Sequence, residues 1–172
     1  MRRSIAIAFL VLSAAASAEG QEALDRYLLL ATERTSTLQE EINQAAARGF
    51  RVVAASPSDG SEAIVLLEQT KGTYQYQLLA ATRVGTLQRE ISDAAEAGYR
   101  IVPRAVVRKG DELLVLLEKG PEGPAKARYL VLSTERTGTL QKEISQASID
   151  GYTLVALASR GEHVAILERG TR

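Results

Sequence analysis

The 172-residue chain has no cysteine, no tryptophan and a single histidine, His163. The missing cysteines exclude disulfides, thiolate metal ligands, haem attachment and a cysteine nucleophile, and one histidine cannot build a multi-histidine metal centre. Net charge is also lacking, because 21 Lys and Arg residues are balanced by 21 Asp and Glu residues. Without an excess of positive charge, nucleic acid is not expected as a partner. The hydrophobic fraction of 45% is sufficient for a packed core.

Residues 1–18 have the three-part pattern of a secretory signal peptide. Arg2 and Arg3 give a cationic start, residues 5–12 are apolar throughout, and residues 16–18 form an A-x-A sequence. The uncharged stretch is shorter than the roughly 20 residues of a membrane-spanning helix. We therefore expect bacterial export to the periplasm or the medium, with no membrane contact after cleavage. A retained membrane anchor is the alternative.

The rest of the chain contains one pattern three times, without a gap in the alignment of the copies. The copies read YLLLATERTSTLQEEINQAAARGFRVV from Tyr27, YQLLAATRVGTLQREISDAAEAGYRIV from Tyr76 and YLVLSTERTGTLQKEISQASIDGYTLV from Tyr129. Each copy continues through a turn into an apolar segment that ends in glutamate. A spacing of about fifty residues is typical of repeat architectures. We divide the chain into repeat 1 (19–72), repeat 2 (73–123) and repeat 3 (124–172).

The apolar pattern within a copy predicts a strand, a helix and a strand hairpin. In repeat 1, residues 27–31 are an apolar run that predicts a buried strand. From Thr37 onward, Leu38, Ile42 and residues 45–46 recur on one face of a helix. The glycines that follow the helical pattern, Gly49, Gly98 and Gly151, stand where a left-handed backbone ends a helix. Two more strands joined by a turn complete a β-α-β-β unit.

The strands are apolar on both sides, whereas one helix covers only one face of a sheet. A lone unit of about 45 residues also buries little surface on folding. We therefore predict an α+β fold in which three tandem β-α-β-β repeats share a core as one pseudo-threefold domain, preceded by the signal peptide. A continuous sheet with three helices on one face is the competing arrangement.

The repeated pattern resembles a family of small bacterial domains of unknown function. It consists of Y-x-[LV]-L, then L-x-x-x-I-x-x-A-x-x-x-G, then an apolar strand that ends in a charged residue. Members of that family carry an aromatic residue, often tryptophan, after the helix-closing glycine, where this chain has Phe50, Tyr99 and Tyr152. The resemblance covers residues 27–169 as three copies. It implies the β-α-β-β unit and supplies no activity.

Five polar positions are identical in all three copies and are the candidates for function. These positions are Arg34/Arg83/Arg136, Thr37/Thr86/Thr139, Gln39/Gln88/Gln141, Glu41/Glu90/Glu143 and Glu68/Glu118/Glu168.

The arginines and threonines form a candidate anion site in each copy. Each threonine precedes its predicted helix by one position, where a threonine side chain caps backbone N–H groups. Each arginine lies three residues earlier, beside a helix start that attracts anions through free N–H groups and the helix dipole. Together they suit a small carboxylate or phosphate. The interpretation that we favour is instead a structural ion pair between the arginine and a glutamate of the 41 or 68 series.

The glutamates of the 41 series lie one turn inside each predicted helix, at the edge of its apolar face. A carboxylate there can act as a general acid, so a carboxylate-dependent hydrolase or isomerase with sites between repeats is the alternative function. His163 occurs in one repeat only and has no repeated carboxylate partner, which makes it a poor member of a catalytic triad. We expect no catalytic residue, no metal and no cofactor.

The leading hypothesis is an exported, non-enzymatic repeat module that binds an unidentified protein or a small anionic ligand. The hairpin tips at residues 57–61, 108–111 and 160–162 differ most between copies, and variable loops on a fixed scaffold commonly carry binding specificity. A purely architectural envelope protein, in which fused units replace a homotrimer, is a third possibility.

Overall fold

The computed structural model describes residues 26–57, 62–122, 127–159 and 161–170. In these ranges the protein is a mixed α/β fold with three antiparallel three-stranded sheets and three helices, in a threefold-like repeat arrangement. The predicted repetition of a β-α-β-β unit is therefore confirmed. The predicted signal peptide lies outside the described residues, as do parts of the first and third hairpin tips.

Repeat 1 contains strand β1 (Tyr27–Thr32), helix α1 (Thr35–Ala47), strand β2 (Phe50–Pro57) and strand β3 (Ala63–Gln69). The sheet order is β1-β3-β2, so that β3 is central and antiparallel to both neighbours. This order follows from the chain, because β2 and β3 form a hairpin and α1 carries the chain from β1 to the far edge of the sheet.

Repeats 2 and 3 have the same element order and the same sheet order. Their elements are β4 (Gln75–Ala81), α2 (Val84–Glu96), β5 (Arg100–Lys109), β6 (Glu112–Lys119), β7 (Ala127–Thr134), α3 (Thr137–Ile149), β8 (Thr153–Ser159) and β9 (His163–Gly170). The described strands form three separate sheets, so the competing arrangement of one continuous sheet is not adopted.

Each helix buries an apolar stripe against the sheet of its own repeat. In α1 this stripe consists of Leu38, Ile42 and two alanines, and α2 buries the equivalent four side chains. The alanines are small, which lets the helix lie close to the sheet. In α3 the buried side chains are Leu140 and Ala147. The stripe of the last helix is thus less fully covered than the other two.

The glycines after the helices have the backbone conformation that the sequence predicts. Gly49, Gly98 and Gly151 have φ angles of 91°, 90° and 85°. A side chain at such an angle would be strained, so glycine lets each helix end sharply and lets the chain turn into the next strand.

Successive repeats stack through the same elements. Helix α1 packs on β4 and α2 packs on β7, while β2 contacts β5 and β5 contacts β8. The buried cluster around α1 includes Tyr76, Leu114 and Leu116 of repeat 2, and the cluster around α2 includes Tyr129 and Val131 of repeat 3. One helix, its own sheet and the opposite face of the next sheet therefore enclose each shared core layer. We call the contact of repeats 1 and 2 the first junction and that of repeats 2 and 3 the second junction.

The central strands show which sheet faces are covered. Strand β3 alternates between buried and half-buried residues, whereas residues 113–117 of β6 and 164–167 of β9 are buried without alternation. Continuous burial is expected of a strand that is covered on both faces. The predicted covering of the second sheet face by another repeat therefore holds for repeats 2 and 3, and no other described repeat covers the outer sheet face of repeat 1.

Candidate functional site

A tyrosine, a glutamate and an arginine meet at the first junction. The Tyr76 hydroxyl donates a 2.6 Å hydrogen bond to Glu118 Oε2 and accepts one of 2.9 Å from the Val52 backbone N–H. Arg51 reaches the same carboxylate, with Nη2 2.8 Å from Oε1 of Glu118. Arg51 and Val52 lie in β2, whereas Tyr76 and Glu118 lie in β4 and β6. The polar cluster thus joins two repeats.

The second junction contains the same cluster. Tyr129 donates a 2.5 Å hydrogen bond to Glu168 Oε2 and accepts one of 3.0 Å from the Ile101 N–H, and Arg100 forms an ion pair with Glu168. The sheet register creates both clusters, because Tyr129 lies opposite Glu168 in the β7–β9 ladder, as their counterparts do in the β4–β6 ladder.

Burial determines the protonation of these clusters. It raises the pKa of Tyr76 above the ordinary value of 10.0, and the hydrogen bond to Glu118 raises this pKa further. Burial and the bond to Glu168 raise the pKa of Tyr129 in the same way. Hydrogen bonding to its glutamate also raises the pKa of Arg51. At neutral pH each cluster therefore holds a neutral tyrosine and a charged arginine that both donate to one glutamate, which suits a structural contact better than proton transfer.

Two side chains of α1 hold the first strand of repeat 2. Gln39 Oε1 accepts the Leu78 N–H at 2.9 Å. The Asn43 carboxamide donates to the Tyr76 carbonyl and accepts the Tyr76 N–H, both at 3.0 Å. The helix therefore supplies partners to strand groups that the β4–β6 ladder leaves unpaired.

Gln88 of α2 holds the first strand of repeat 3 by itself. Its Nε2 donates to the Tyr129 carbonyl at 3.0 Å, and its Oε1 accepts the Val131 N–H at 2.8 Å. Nε2 also donates to Ser92 Oγ at 3.1 Å, which orients the carboxamide. Gln39 and Gln88 thus contact the neighbouring repeat at the two junctions.

A cleft of about 430 Å³ runs along both junctions. Its wall includes Arg51, Arg100, Glu118 and Glu168, together with apolar residues of β2, β5 and β8. Because these two arginines and two glutamates are paired with each other, this set presents neither an unpaired cation nor a free, desolvated carboxylate. The set therefore offers little for general acid catalysis or for binding an anion.

The residues of the predicted catalytic alternative lie elsewhere. Glu90 and Arg83 are not among the residues that line this cleft. Glu41 and Glu90 are half-buried on their helices, and Glu143 is exposed. A carboxylate on a helix surface lacks the enclosed site in which a general acid is usually tuned.

The helices begin three residues earlier than predicted. Arg34 occupies the N-cap position of α1 without a side-chain capping bond, and its carbonyl accepts the Leu38 N–H at 3.0 Å. Thr32 Oγ1 accepts the Arg34 N–H at 3.3 Å and Thr134 Oγ1 accepts that of Arg136, whereas repeat 2 has Ala81 at this position. The same three-residue shift occurs in α2 and α3. The capping predicted for Thr37, Thr86 and Thr139 is therefore wrong, and these threonines lie inside the first turn.

The glutamates that end the central strands form ion pairs with arginines other than the helix-start arginines named in the sequence analysis. Glu118 pairs with Arg51 and Glu168 with Arg100, while Glu68 pairs with Arg26 at 2.7 Å. The sequence contained a signal for the junction arginines, since Arg51 and Arg100 follow the aromatic residue after each helix-closing glycine. Repeat 3 interrupts that signal, because it has Thr153 at this position. The helix-start arginines, Arg34, Arg83 and Arg136, are exposed, and their role as an anion site stays a prediction.

The outer sheet face of repeat 1 is apolar and open. We call it the front face and define it by Tyr27, Leu29, Ala31, Ile64 and Leu66. The β1–β3 register places these residues on one side of the sheet, and the alternate residues of β1 pack on the α1 side. Tyr27 and Leu29 are exposed, whereas the residues equivalent to this face in repeats 2 and 3 line the junctions.

Repeat 3 presents the opposite half of a junction. We call this surface the back face and define it by Gln141, Ser145, Leu154 and Leu157. Leu154 is 50% exposed, whereas its counterparts Val52 and Ile101 are 4% and 5% exposed at the two junctions. Gln141 is the counterpart of the junction glutamines and is also exposed. The two ends of the stack therefore display the two complementary halves of one interface.

Comparison with protein families, curated proteins and solved structures finds no match to this chain. The resemblance to a family of small bacterial domains therefore stays a prediction. In the described part of the chain, none of the helices has the length and hydrophobicity of a membrane span. No cluster of three or more His, Asp or Glu side chains suited to a metal ion occurs among the described residues.

Proposed function

We propose that this protein is a non-enzymatic binding module that docks another protein through the end faces of its repeat stack. The observation that carries the proposal is the exposure of apolar side chains at end positions whose equivalents are buried at the junctions. Monomeric soluble proteins rarely expose contiguous apolar patches, and such patches commonly mark protein interaction sites. The front face and the back face each expose apolar side chains, and each corresponds to one side of a junction between repeats.

The alternative function, a carboxylate-dependent hydrolase or isomerase, has less support. Two of the three glutamates that line the junction cleft, Glu118 and Glu168, are bound by arginine and tyrosine. A general acid needs a proton to give and access to substrate, and these groups are committed to the contact between repeats. A small anionic ligand at the helix-start arginines is the second binding candidate and is supported by their exposure.

We also propose that the module acts outside the cytoplasm as one domain. Export is inferred from the pattern of residues 1–18, and a single pseudo-threefold domain is inferred from the core layers that adjacent repeats share. Mass spectrometry of the protein recovered from the periplasm or medium tests the first point. The expected amino terminus is Glu19, and recovery of an uncleaved chain from the membrane fraction would contradict export.

Site-specific photo-cross-linking in the producing cell tests docking through the end faces. A photoreactive amino acid at position 29 or 157 is expected to give covalent adducts with protein, because both side chains lie on the exposed faces. Position 149 is the matched control: Ile149 is 79% exposed in the same repeat as Leu157, but its counterparts Ala47 and Glu96 are exposed too and lie outside the junctions. Equal labelling at all three positions, or none at positions 29 and 157, would refute the proposal.

A further inference from the structure

The two end faces match the two sides of an interface that this chain already forms twice. At each junction, one side supplies a helical glutamine and a β-strand with apolar side chains, and the other side supplies a tyrosine and an apolar strand pair. The back face carries the first set in repeat 3, and the front face carries the second set in repeat 1. A surface that is complementary to the back face is therefore present in every copy of the protein.

On the back face, Gln141 and Ser145 form a glutamine clamp, a hydrogen-bonded pair like the one that holds a strand at the second junction. Ser145 Oγ donates to the Gln141 carbonyl at 2.8 Å, and Gln141 Nε2 donates to Ser145 Oγ at 3.2 Å. In repeat 2 the corresponding distances between Ser92 and Gln88 are 2.8 Å and 3.1 Å, and there the glutamine holds the backbone of β7. Gln141 thus has the same hydrogen bonds to its serine as Gln88 has. The surface where Gln88 binds a strand is exposed to solvent at Gln141.

We propose that a second copy of this chain docks its front face on the back face of repeat 3, so that β1 of one copy lies where β4 and β7 lie at the junctions. In this arrangement Gln141 Nε2 donates to the Tyr27 carbonyl of the second copy, and Gln141 Oε1 accepts the Leu29 N–H. The Leu154 N–H donates to the Tyr27 hydroxyl, as the Val52 N–H does to its tyrosine at the first junction. The inference rests on the proposed function and names the partner of both faces.

The charges of the two faces fit this contact. Repeat 3 has Thr153 where the junctions have Arg51 and Arg100, so the back face brings no arginine for the glutamate of the next repeat. The front face does not need such an arginine, because Glu68 is already paired with Arg26 of its own chain. An approaching front face therefore carries no unpaired carboxylate into the contact, a group whose burial would be costly. Without an ion pair across it, the contact relies on apolar burial and the glutamine clamp.

The contact is heterologous, because two different surfaces of the chain meet. Such a contact leaves one front face and one back face unoccupied in each dimer, and further copies either close a ring or extend a filament. Self-association is therefore expected to depend on concentration and to need both faces.

Complementation between single-face variants tests the proposal. Leu29→Glu places a charge on the front face, Leu157→Glu places one on the back face, and Ile149→Glu is the control with the same chemistry at a neutral surface position. Wild type and Ile149→Glu are expected to increase in mass with concentration in sedimentation velocity experiments, and each face variant is expected to remain monomeric. An equimolar mixture of Leu29→Glu and Leu157→Glu is expected to form a dimer and nothing larger, because only one pair of intact faces remains. Circular dichroism spectra that match wild type verify that each variant is folded.

The outcomes separate this inference from the proposed function. If Leu29→Glu alone still dimerises, a back-to-back contact replaces the head-to-tail one and the inference is wrong. A monomeric wild type also overturns it, whether the front face is covered by residues 19–25 or by a different protein. In that case cross-linked adducts at position 157 with a different protein would leave the proposed function intact. Gln141→Ala is expected to raise the dissociation constant about tenfold without loss of folding, since it removes two hydrogen bonds from the contact only.

Discussion

Tyr27 and Tyr76 occupy the same position in successive repeats, yet Tyr27 is 49% exposed and Tyr76 is 3% exposed. Tyr76 is covered by repeat 1, whereas the described chain provides no repeat before Tyr27. The same side chain is therefore a structural residue at one level of the stack and a surface residue at another. Pairs of equivalent residues thus provide internal controls, because the chemistry stays constant and the burial changes.

Removal of the tyrosine hydroxyl is expected to matter at a junction and not at the front face. Tyr76→Phe leaves the buried Val52 N–H without its acceptor and Glu118 without one donor. We expect the free energy of unfolding to fall by about 1–3 kcal/mol, the usual cost of an unsatisfied buried polar group. Tyr27→Phe is expected to leave the free energy of unfolding unchanged in urea titrations at low protein concentration. Equal losses for the two variants would show that the junction bond is not the cause.

The buried tyrosines predict a loss of stability at alkaline pH. Burial raises the folded-state pKa values of Tyr76 and Tyr129 above 10.0, the ordinary value that applies when the chain is unfolded. Their contribution is fully present below this pH and is lost as the pH rises towards the folded-state values, because the unfolded chain releases these protons first. Each group contributes a slope of up to about 1.4 kcal/mol per pH unit. Urea titrations up to about pH 11 should show a shallower decline for the Tyr76→Phe/Tyr129→Phe variant than for wild type. Equal declines in the free energy of unfolding for the variant and wild type would show that these tyrosines do not cause the alkaline loss of stability.

The two arginine–glutamate pairs at opposite ends of the burial range are expected to differ in strength. The Glu118 side chain is 12% exposed and accepts bonds from both Arg51 and Tyr76, whereas that of Glu68 is 35% exposed and its partner Arg26 is on the surface. Glu118→Gln is expected to lower the free energy of unfolding by about 2 kcal/mol. Glu68→Gln should have no measurable effect on thermal unfolding, since exposed pairs contribute little. The opposite ranking would rule out burial as the deciding factor.

Two glycines with different backbone conformations are expected to respond oppositely to alanine. Gly49 has a φ of +91°, and a Cβ atom there would lie 3.2 Å from the Thr70 carbonyl oxygen. Gly49→Ala is therefore expected to cost about 1–2 kcal/mol of stability. Gly85 lies in the first turn of α2, where an added Cβ atom would have no neighbouring atom within 4 Å, so Gly85→Ala should gain about 0.5–1 kcal/mol. Thermal melts of the two variants test the difference in sign.

Sequence periodicity was sufficient to predict the repeats, the order of elements and the glycines that end the helices. These features depend on residues that are close in sequence, such as Leu38 and Ile42 on one helix face. The start of each helix was predicted less well, because Arg34, Arg83 and Arg136 take the N-cap position expected for the threonines, and their carbonyls accept the first helical N–H groups.

The junction clusters could not be predicted from sequence periodicity. An alternating strand pattern shows that a face is apolar, but it does not show which repeat covers that face. Arg51 and Glu118 are 67 positions apart and meet only because β2 of one repeat packs beside β5 of the next, which pairs with β6. Repeat 3 has Thr153 instead of this arginine, so only two of the three copies carry the pattern.

Strand β6 is covered on both sides, by α2 on one face and by repeat 1 on the other, and its residues 113–117 are buried in succession. Thermal fluctuations that detach an outer layer leave these amides protected, so exchange of backbone hydrogen for deuterium is expected to be slowest in the middle of the chain and faster towards both ends. The order in which the repeats unfold locally is therefore set by how many neighbouring repeats each one has, although the repeats are nearly identical in composition.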